Sequence, residues 1–201
     1  AGGATATGHR NRREIFMTDH PIQMLKEEHR SIERILHVLA GFCRQAENGQ
    51  AVSGAALDQV LEFISVFADK GHHGKEEQHL FPLLEQRGMP REGGPIAVML
   101  AEHDEGRRLI HRIRSAVKSG EPGGTFMGEE LVEPARRYID LLQAHIEKEE
   151  KVLFPMATNI LDEGDFSSLE ASFRAVNQEM GTGAHEGYQR LAVRLESDSA
   201  T

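Results

Sequence analysis

Residues 72–82 read HHGKEEQHLFP, and residues 145–155 read HIEKEEKVLFP. Both stretches follow the pattern His-x3-Glu-Glu-x2-Leu-Phe-Pro, in which x is any residue. A second match precedes each of them, because residues 28–37 read EHRSIERILH and residues 102–111 read EHDEGRRLIH. The two matches are displaced by almost the same distance along the chain, so the sequence contains a duplicated unit.

Each match lies in a long segment where apolar residues recur with helical periodicity. Glycine or Asn-Gly follows the first three segments, as is usual at helix ends. We predict four long helices over about residues 21–47, 54–87, 95–119 and 128–161. Because the connections are short, consecutive helices should run antiparallel. The sequence therefore predicts an all-α fold, an antiparallel up-down four-helix bundle with almost no sheet.

Two shorter amphipathic helices are predicted after the bundle, over about residues 165–180 and 185–195. We assign residues 17–164 to the bundle and residues 165–201 to a C-terminal helical extension packed on it. Residues 1–16 are rich in small and basic residues and precede Met17, which we interpret as the native start. We expect them to be a disordered tail or an added extension.

Histidine is unusually frequent, with 11 among 201 residues. Residues at i and i+4 lie on the same helix face, about 6 Å apart, so each His-x3-Glu pair presents both side chains together. Apolar residues one turn away flank both pairs, so these faces should point into the bundle. A lone histidine from the preceding helix accompanies each pair. The candidate metal ligands are His29, His72, Glu76, His103, His145 and Glu149.

Two carboxylates in a helical core cost roughly several kcal/mol each unless their charge is compensated. Four neutral imidazoles do not supply that charge, whereas a metal cation does. Glu76 and Glu149 could each bridge two ions, with the four histidines as terminal ligands. A nitrogen and oxygen donor set without thiolate suits iron, manganese or zinc. A single His-x3-Glu pair is usually a solvated surface pair, but its duplication favours a two-metal site.

With this pattern, residues 21–161 resemble the hemerythrin-like family, also called the HHE cation-binding domain. The resemblance implies a four-helix bundle around two iron ions (Fe2+/Fe3+) with an oxo or hydroxo bridge; manganese or zinc is the alternative. Oxygen-carrying members have a second histidine four residues after the third-helix histidine, where this chain has Arg107. They also end with a His and an Asp, where this chain has Glu149. Both departures argue against simple oxygen carriage.

The His–Glu version is similar to bacterial members that handle nitric oxide, repair damaged iron centres or decompose peroxide. We therefore expect a protein that binds or senses oxygen or nitric oxide at a carboxylate-bridged di-iron centre. The alternative is an enzyme that uses this centre to reduce peroxide or dioxygen, to oxidise iron, or to repair iron centres under nitric oxide stress. A ferritin-type oxidase is disfavoured, because such sites use Glu-x2-His. Catalytic residues are not assigned.

Four further residues are candidates for supporting roles. His73 follows a candidate ligand and could supply a fifth imidazole; the alternative is a surface or hydrogen-bonding histidine. Tyr138 lies on nearly the same face as His145, as a hydrogen-bond donor or a core residue. Glu77 and Glu150 could orient ligands through hydrogen bonds or could face solvent.

Composition restricts the remaining classes of function. The net charge of −9, without a basic patch, argues against a nucleic-acid partner. No apolar run approaches the roughly 18 residues that a membrane span requires. Cys43 is the only cysteine, which excludes an intrachain disulfide or a thiolate-held iron–sulfur cluster within this chain and suits a cytoplasmic location. We expect a small diatomic or peroxide ligand and a redox partner, and the oligomeric state stays open.

Overall fold

The computed structural model of the chain describes residues 20–117 and 125–199. The predicted tail at residues 1–16 lies outside this part, as does the expected start at Met17. Four helices in the described part of the chain are regular α-helices: α1 (Pro21–Glu47), α3 (Pro95–Val117), α5 (Glu163–Glu179) and α6 (Ala184–Ser199). The other two, α2 and α4, change their winding along their length.

Helix α2 consists of α-helical Gly54–Phe63, π-helical Ile64–His73 and Glu76–Leu80, and α-helical Phe81–Gln86. Helix α4 consists of α-helical Glu129–Lys148, π-helical Glu149–Leu153 and α-helical Phe154–Ile160.

In both helices a proline lies two residues after the end of a π-helical segment: Pro82 in α2 and Pro155 in α4. A proline has no N–H, and its ring clashes with the carbonyl four residues earlier. The wider π turn accommodates that clash. Turns of this kind are often found at functional sites, and here they include the candidate ligands Glu76 and Glu149.

Ion pairs between helices give their relative direction. Helix α1 pairs with α4 through Arg30–Glu150 and through Glu47–Arg136, so residue numbers rise along one helix as they fall along the other. Contacts of α3 with its neighbours follow the same reversed order, through Arg107–Glu77 and Arg114–Ser65 to α2, and through Lys148–Glu102 and Arg112–Glu133 to α4. The predicted all-α, up-down four-helix bundle is confirmed.

The described parts of the connections contain one short antiparallel pairing. Strand β1 (Val52–Ser53) pairs with β2 (Thr125–Phe126), with Val52 opposite Phe126. This bridge joins the α1–α2 connection to the segment before α4 and is consistent with the expectation of almost no sheet. Gly128 then caps α4 with a left-handed φ of 47°, a conformation that glycine adopts without strain.

The two C-terminal helices cover different parts of the bundle. Helix α5 begins earlier than predicted, because Asp162 and Asp165 form a reciprocal capping box at its first turn. Its buried residues include Leu169 and Phe173. Helix α6 lies along α1 and buries Ala192 and Leu195, and it is longer at both ends than the predicted helix.

Two apolar clusters fill the bundle, and a polar layer separates them. The first cluster includes Leu36 and Phe67 and extends toward the connection at residues 48–53. The second cluster includes Leu25, Phe81 and Phe154 and extends toward α5. Buried polar residues lie between these clusters along the chain in all four long helices. Within residues 20–117 and 125–199, no helix is both long and apolar enough to cross a bilayer.

Candidate metal centre

All six candidate ligands lie in the polar layer, and each is at most 2% exposed: His29, His72, Glu76, His103, His145 and Glu149. Helices α1 and α3 contribute the lone histidines, and α2 and α4 contribute the His-x3-Glu pairs. The helical register predicted that these side chains point inward. The structure brings them into one cluster.

The histidines form two pairs, one from each half of the duplicated sequence. The Nε2 atoms of His29 and His72 are 3.1 Å apart, and those of His103 and His145 are also 3.1 Å apart. The two halves are thus related by an approximate twofold symmetry. Each pair combines the lone histidine of one helix with the motif histidine of the next.

The two glutamates connect these pairs. Glu149 places Oε2 3.1 Å from His29 Nε2 and Oε1 3.3 Å from His145 Nε2. Glu76 places Oε1 3.7 Å from His72 Nε2 and Oε2 3.5 Å from His103 Nε2. Each carboxylate therefore faces one histidine of each pair. The arrangement has two half-sites, each with two imidazole nitrogens and two carboxylate oxygens.

The outer nitrogen of every one of these histidines contacts a carboxylate. The Nδ1 atoms of His29 and His103 lie 2.9 Å from Glu150 and 2.7 Å from Glu77, the two glutamates named from the sequence. Those of His72 and His145 lie 3.0 Å from Glu28 and 2.9 Å from Glu102.

Glu28 and Glu102 were not identified from the sequence, although the matched Glu-His dipeptides at residues 28–29 and 102–103 were a usable signal. Hydrogen bonds from the histidines help keep the pKa of all four glutamates below its usual range, against the opposing effect of burial. An ionised carboxylate only accepts hydrogen bonds, so each histidine donates from Nδ1–H. The Nε2 lone pair is then directed into the cluster.

With Nδ1 protonated in all four histidines, the remaining lone pairs show whether the cluster fits a cation. Two Nε2 lone pairs 3.1 Å apart repel each other unless a proton or a metal ion lies between or beside them. Both oxygens of Glu76 and Oε1 of Glu149 are buried without a hydrogen-bond partner among the described residues. Converging lone pairs and unpartnered carboxylate oxygens are the donors that a metal ion requires, so the residues fit a metal.

The pKa values of the cluster reflect the same crowding of lone pairs and carboxylates. Burial, together with the nearby charge of Glu149, raises the pKa of Glu76 well above its usual range. Burial acts to raise the pKa of Glu149 as well, but His145 and His29 hold it well below that range. Although burial opposes it, the negative charge of Glu149 raises the pKa of His145 to about 9. In the absence of metal, protons thus occupy part of the cluster.

A buried ion pair lies behind the first half-site. The Glu28 carboxylate that contacts His72 also accepts from Lys75, whose side chain is 0% exposed, and lies 2.8 Å from His185 Nε2. In the second half-site, Lys148 makes the matched ion pair with Glu102, but its side chain is 40% exposed. The sequence did not identify Lys75. Helix α6 brings His185 to the Glu28 carboxylate.

His73 lies at the edge of the cluster. Its ring stacks on His103 with a centroid distance of 3.9 Å, and it is 5% exposed. Both ring nitrogens lack a hydrogen-bond partner among the described residues, and Nδ1 is 3.6 Å from Asp69. A ligand atom of His73 lies within reach of the same ion as His103 and His145. Burial lowers its pKa well below the usual value, so the ring is neutral.

Tyr138 and Arg107 occupy positions beside the ligands. Tyr138 is buried, and burial raises the pKa of its hydroxyl group well above its usual range. Arg107 projects outward, and its guanidinium donates to Asp69 at 2.8 Å and to Glu77 at 2.7 Å. It therefore braces the carboxylate that contacts His103.

Comparison with known proteins gives one family and several relatives. The model of the hemerythrin HHE cation-binding domain matches residues 20–157. An uncharacterized protein of Mycobacterium tuberculosis is 26% identical over 171 residues, which cover 85% of this chain and 66% of that protein. The iron-sulfur cluster repair protein YtfE of Salmonella typhimurium is 40% identical over 89 residues, which cover 43% of this chain and 40% of that protein.

The chain thus spans slightly less than two thirds of the mycobacterial relative and well under half of the repair protein. No solved structure matches it significantly.

Proposed function

The chain belongs to the hemerythrin HHE cation-binding domain family, and on this premise we propose that it binds two iron ions in the polar layer and uses them to bind or sense oxygen or nitric oxide. The ligands in this proposal are the six predicted residues, one pair of histidines for each ion. His73 is proposed as a further ligand on the side of His103.

One observation carries the proposal: each of the two buried glutamates faces both histidine pairs. Glu149 lies within 3.3 Å of His29 and of His145 through different oxygens, and Glu76 is similarly placed between His72 and His103. A single ion would need only one such half-site. Two carboxylates that each span both half-sites support a bridged pair of ions.

The donor set restricts the choice of metal, and one similarity favours iron. Imidazole nitrogens and carboxylate oxygens suit iron, manganese or zinc, so the donors leave these three. The similarity to a protein named for iron-sulfur cluster repair supports iron. Manganese and zinc are therefore the less favoured ions. Bound iron would supply open coordination positions and one-electron redox changes to a small ligand.

The protein's own contribution is to hold the donors and keep the site dry. Carboxylates on the outer nitrogens fix the ring orientation of all four histidines. The two apolar clusters above and below the layer restrict access of water along the bundle axis. Arg107 stands where oxygen-carrying relatives have a further histidine, and its ion pairs with Asp69 and Glu77 direct it away from the cluster. This supports a ligand set different from that of an oxygen carrier.

An enzymatic role is the alternative, and the likeness to the Salmonella repair protein favours it. That likeness covers 89 residues, so it supports a shared site more than a shared activity. In this alternative, the same centre reduces peroxide or dioxygen, oxidises iron, or repairs iron centres during nitric oxide stress. A redox partner and a cytoplasmic location stay predictions from the sequence.

Metal analysis of purified protein tests the centre. We expect about two iron ions per chain, and we expect Glu149→Ala to lose most of the metal because one bridge and its charge are removed. Glu147→Ala is the matched control, since Glu147 lies two residues earlier, is exposed, and pairs only with Lys151 among the described residues. A single zinc without iron in the wild type, or retention of both ions by Glu149→Ala, would contradict the proposal.

Rapid mixing separates binding from catalysis. The reduced protein is mixed with oxygen, nitric oxide or hydrogen peroxide, and its absorption spectrum is followed. A long-lived complex with oxygen or nitric oxide supports binding or sensing. Repeated consumption of peroxide or dioxygen by one protein molecule supports the enzyme instead.

A further inference from the structure

A cavity of about 210 Å³ lies between α2 and α3, next to the candidate metal centre. One stripe of its lining, on α3, runs from His103 through Arg107 to Arg114, which is about 16 Å along the helix axis. The facing stripe on α2 runs from His73 through Asp69 to Ser65. The cavity thus leads from the surface to the His73–His103 edge of the centre.

The approximate twofold symmetry is broken at this cavity. The duplicated unit places an equivalent interface, the matched interface, between α4 and α1. Ile32 corresponds there to Gly106, since each lies three residues after the lone histidine of its helix. The matched interface also has Leu142 in place of Asp69 and Ile146 in place of His73. All three of these apolar residues are buried. One interface is therefore packed with large apolar side chains, and the other has a glycine and polar groups.

Gly106 is not required by close packing. A Cβ atom at this position would meet Tyr138 at 3.5 Å and Leu142 at 3.7 Å, which are ordinary contact distances. Its φ is not in the left-handed region, and glycine inside a helix is unfavourable compared with alanine. Gly106 lines the cavity together with Tyr138 and Ile110, and it contributes no side chain to fill the space.

The two arginines that line the cavity differ in their partners. Arg107 is neutralised by Asp69 and Glu77. Arg114 instead uses one terminal nitrogen to donate to Leu61 O at 2.9 Å and to Ser65 Oγ at 2.7 Å, both uncharged acceptors. Among the described residues Arg114 has no carboxylate partner, and its other N–H donors stay free. Among the described residues, the outer part of the cavity therefore has one positive charge, that of Arg114, without a carboxylate partner.

The inner end offers polar groups that lack partners. His73 is 5% exposed, lines the cavity, and has no hydrogen-bond partner for either nitrogen among the described residues. Between His73 and Arg114, the walls include the apolar side chains of Ile64 and Ile110 and the ring of Tyr138. The site thus combines a cationic end, an apolar middle and a polar inner end.

We propose that this cavity binds a small organic monoanion, a monocarboxylate about the size of benzoate, with its carboxylate on Arg114 and its body against Ile110 and Tyr138. The size follows from the volume, since cavities of about 150 Å³ hold benzene and this one is larger. Guanidinium groups bind carboxylates with strong, charge-assisted hydrogen bonds. The far end of the bound molecule then faces His73 and the metal centre, but binding itself does not require the metal.

Isothermal titration calorimetry with benzoate tests the site, on the protein as purified and again after treatment with a chelator. We expect saturable binding in both states. Benzamide, which has the same shape without the charge, should bind at least about tenfold more weakly. Arg114→Met should weaken benzoate binding by a similar factor. The matched control is Arg112→Met, because Arg112 is exposed on the same helix, pairs with Glu133 and does not line the cavity.

A second variant tests the cavity itself. Gly106→Ile reproduces the residue of the matched interface and should abolish benzoate binding; its thermal melting curve shows whether it is folded. If it does not fold, Arg114→Met and benzamide decide the question. The proposal is overturned by any of four results: no saturable binding, equal binding of benzamide, unchanged binding by Arg114→Met, or loss of wild-type binding after chelation. The last result would place the anion on the metal.

Discussion

The ammonium group of Lys75 is buried against the carboxylate of Glu28, directly behind His72. The two side chains are 0% and 2% exposed, and the same carboxylate also contacts His185. The matched pair in the second half-site, Lys148 and Glu102, is 40% and 17% exposed. One half-site thus has a fully buried ion pair next to its motif histidine, and the other half-site has a partly exposed one.

Lys75→Met should therefore be much more destabilising than Lys148→Met. Removing Lys75 leaves the charge of Glu28 buried with fewer partners, which costs about 3–5 kcal/mol. Loss of the partly exposed Lys148 should cost about 1 kcal/mol or less. Urea denaturation of both variants in the metal-free state measures the difference in the free energy of unfolding. Equal losses would mean that burial of the pair does not determine its contribution.

Glu77→Ala should weaken metal binding without removing a ligand. Glu77 contacts Nδ1 of His103 at 2.7 Å, and loss of such outer partners typically reduces metal affinity by about 10–100-fold. Competition with a chromophoric chelator measures this affinity. Glu105→Ala is the control, because Glu105 pairs with Arg108 and Arg137 on the outside of the bundle. A similar loss in both variants would indicate a general loss of fold.

Metal uptake should release protons at neutral pH. In the metal-free cluster the pKa of His145 is raised to about 9, so this histidine holds a proton near pH 7, and the pKa of Glu76 is raised in the same direction, well above its usual range. A metal ion requires both groups deprotonated, so its affinity should fall as the pH decreases below about 9. Calorimetric titration with zinc in buffers of different ionisation enthalpy detects the protons. An enthalpy that is independent of the buffer would contradict this prediction.

The raised pKa of His145 affects metal binding and the stability of the metal-free fold in opposite directions. Lower pH weakens metal binding but favours the metal-free fold. A raised pKa of His145 means that the folded state binds the proton more tightly than the unfolded chain. Its contribution to stability is fully present below the ordinary pKa of about 6.5 and is lost as the pH rises through about 9. Unfolding measurements of metal-free protein between these pH values should show this decline, and His145→Ala should reduce it.

Gly106→Ala should stabilise the protein by about 0.5–1 kcal/mol, because alanine is favoured over glycine inside a helix and the added methyl group meets only ordinary contacts. Thermal or urea denaturation measures the gain. Gly74→Ala, at a helical position of α2 where the nearest contact would be 3.7 Å, is a comparison for the helix propensity alone. If Gly106→Ala destabilises the protein and Gly74→Ala does not, the added methyl group at position 106 does not fit against Tyr138 and Leu142.

Helix periodicity and the duplicated motif were enough to predict the bundle. Spacing of i and i+4 determines which residues share a face, so the inward direction of His72 with Glu76 and of His145 with Glu149 followed from sequence. Positions near the helix ends were less well predicted: the capping box of Asp162 and Asp165 extends α5 by a few residues beyond the apolar pattern. The π-helical turns were not predicted either, since hydrogen-bond pattern depends on local geometry.

By itself, the sequence determined the helical fold, the duplication and the six candidate ligands, because all three depend on periodicity within single helices. Only the tertiary structure decided how those residues combine: that Glu76 and Glu149 each face both histidine pairs, and that Lys75 lies buried on Glu28. It also decided that a cavity lined by Gly106 lies at one of two matched interfaces. These features depend on the distances between helices, which packing sets and which spacing along the chain does not contain.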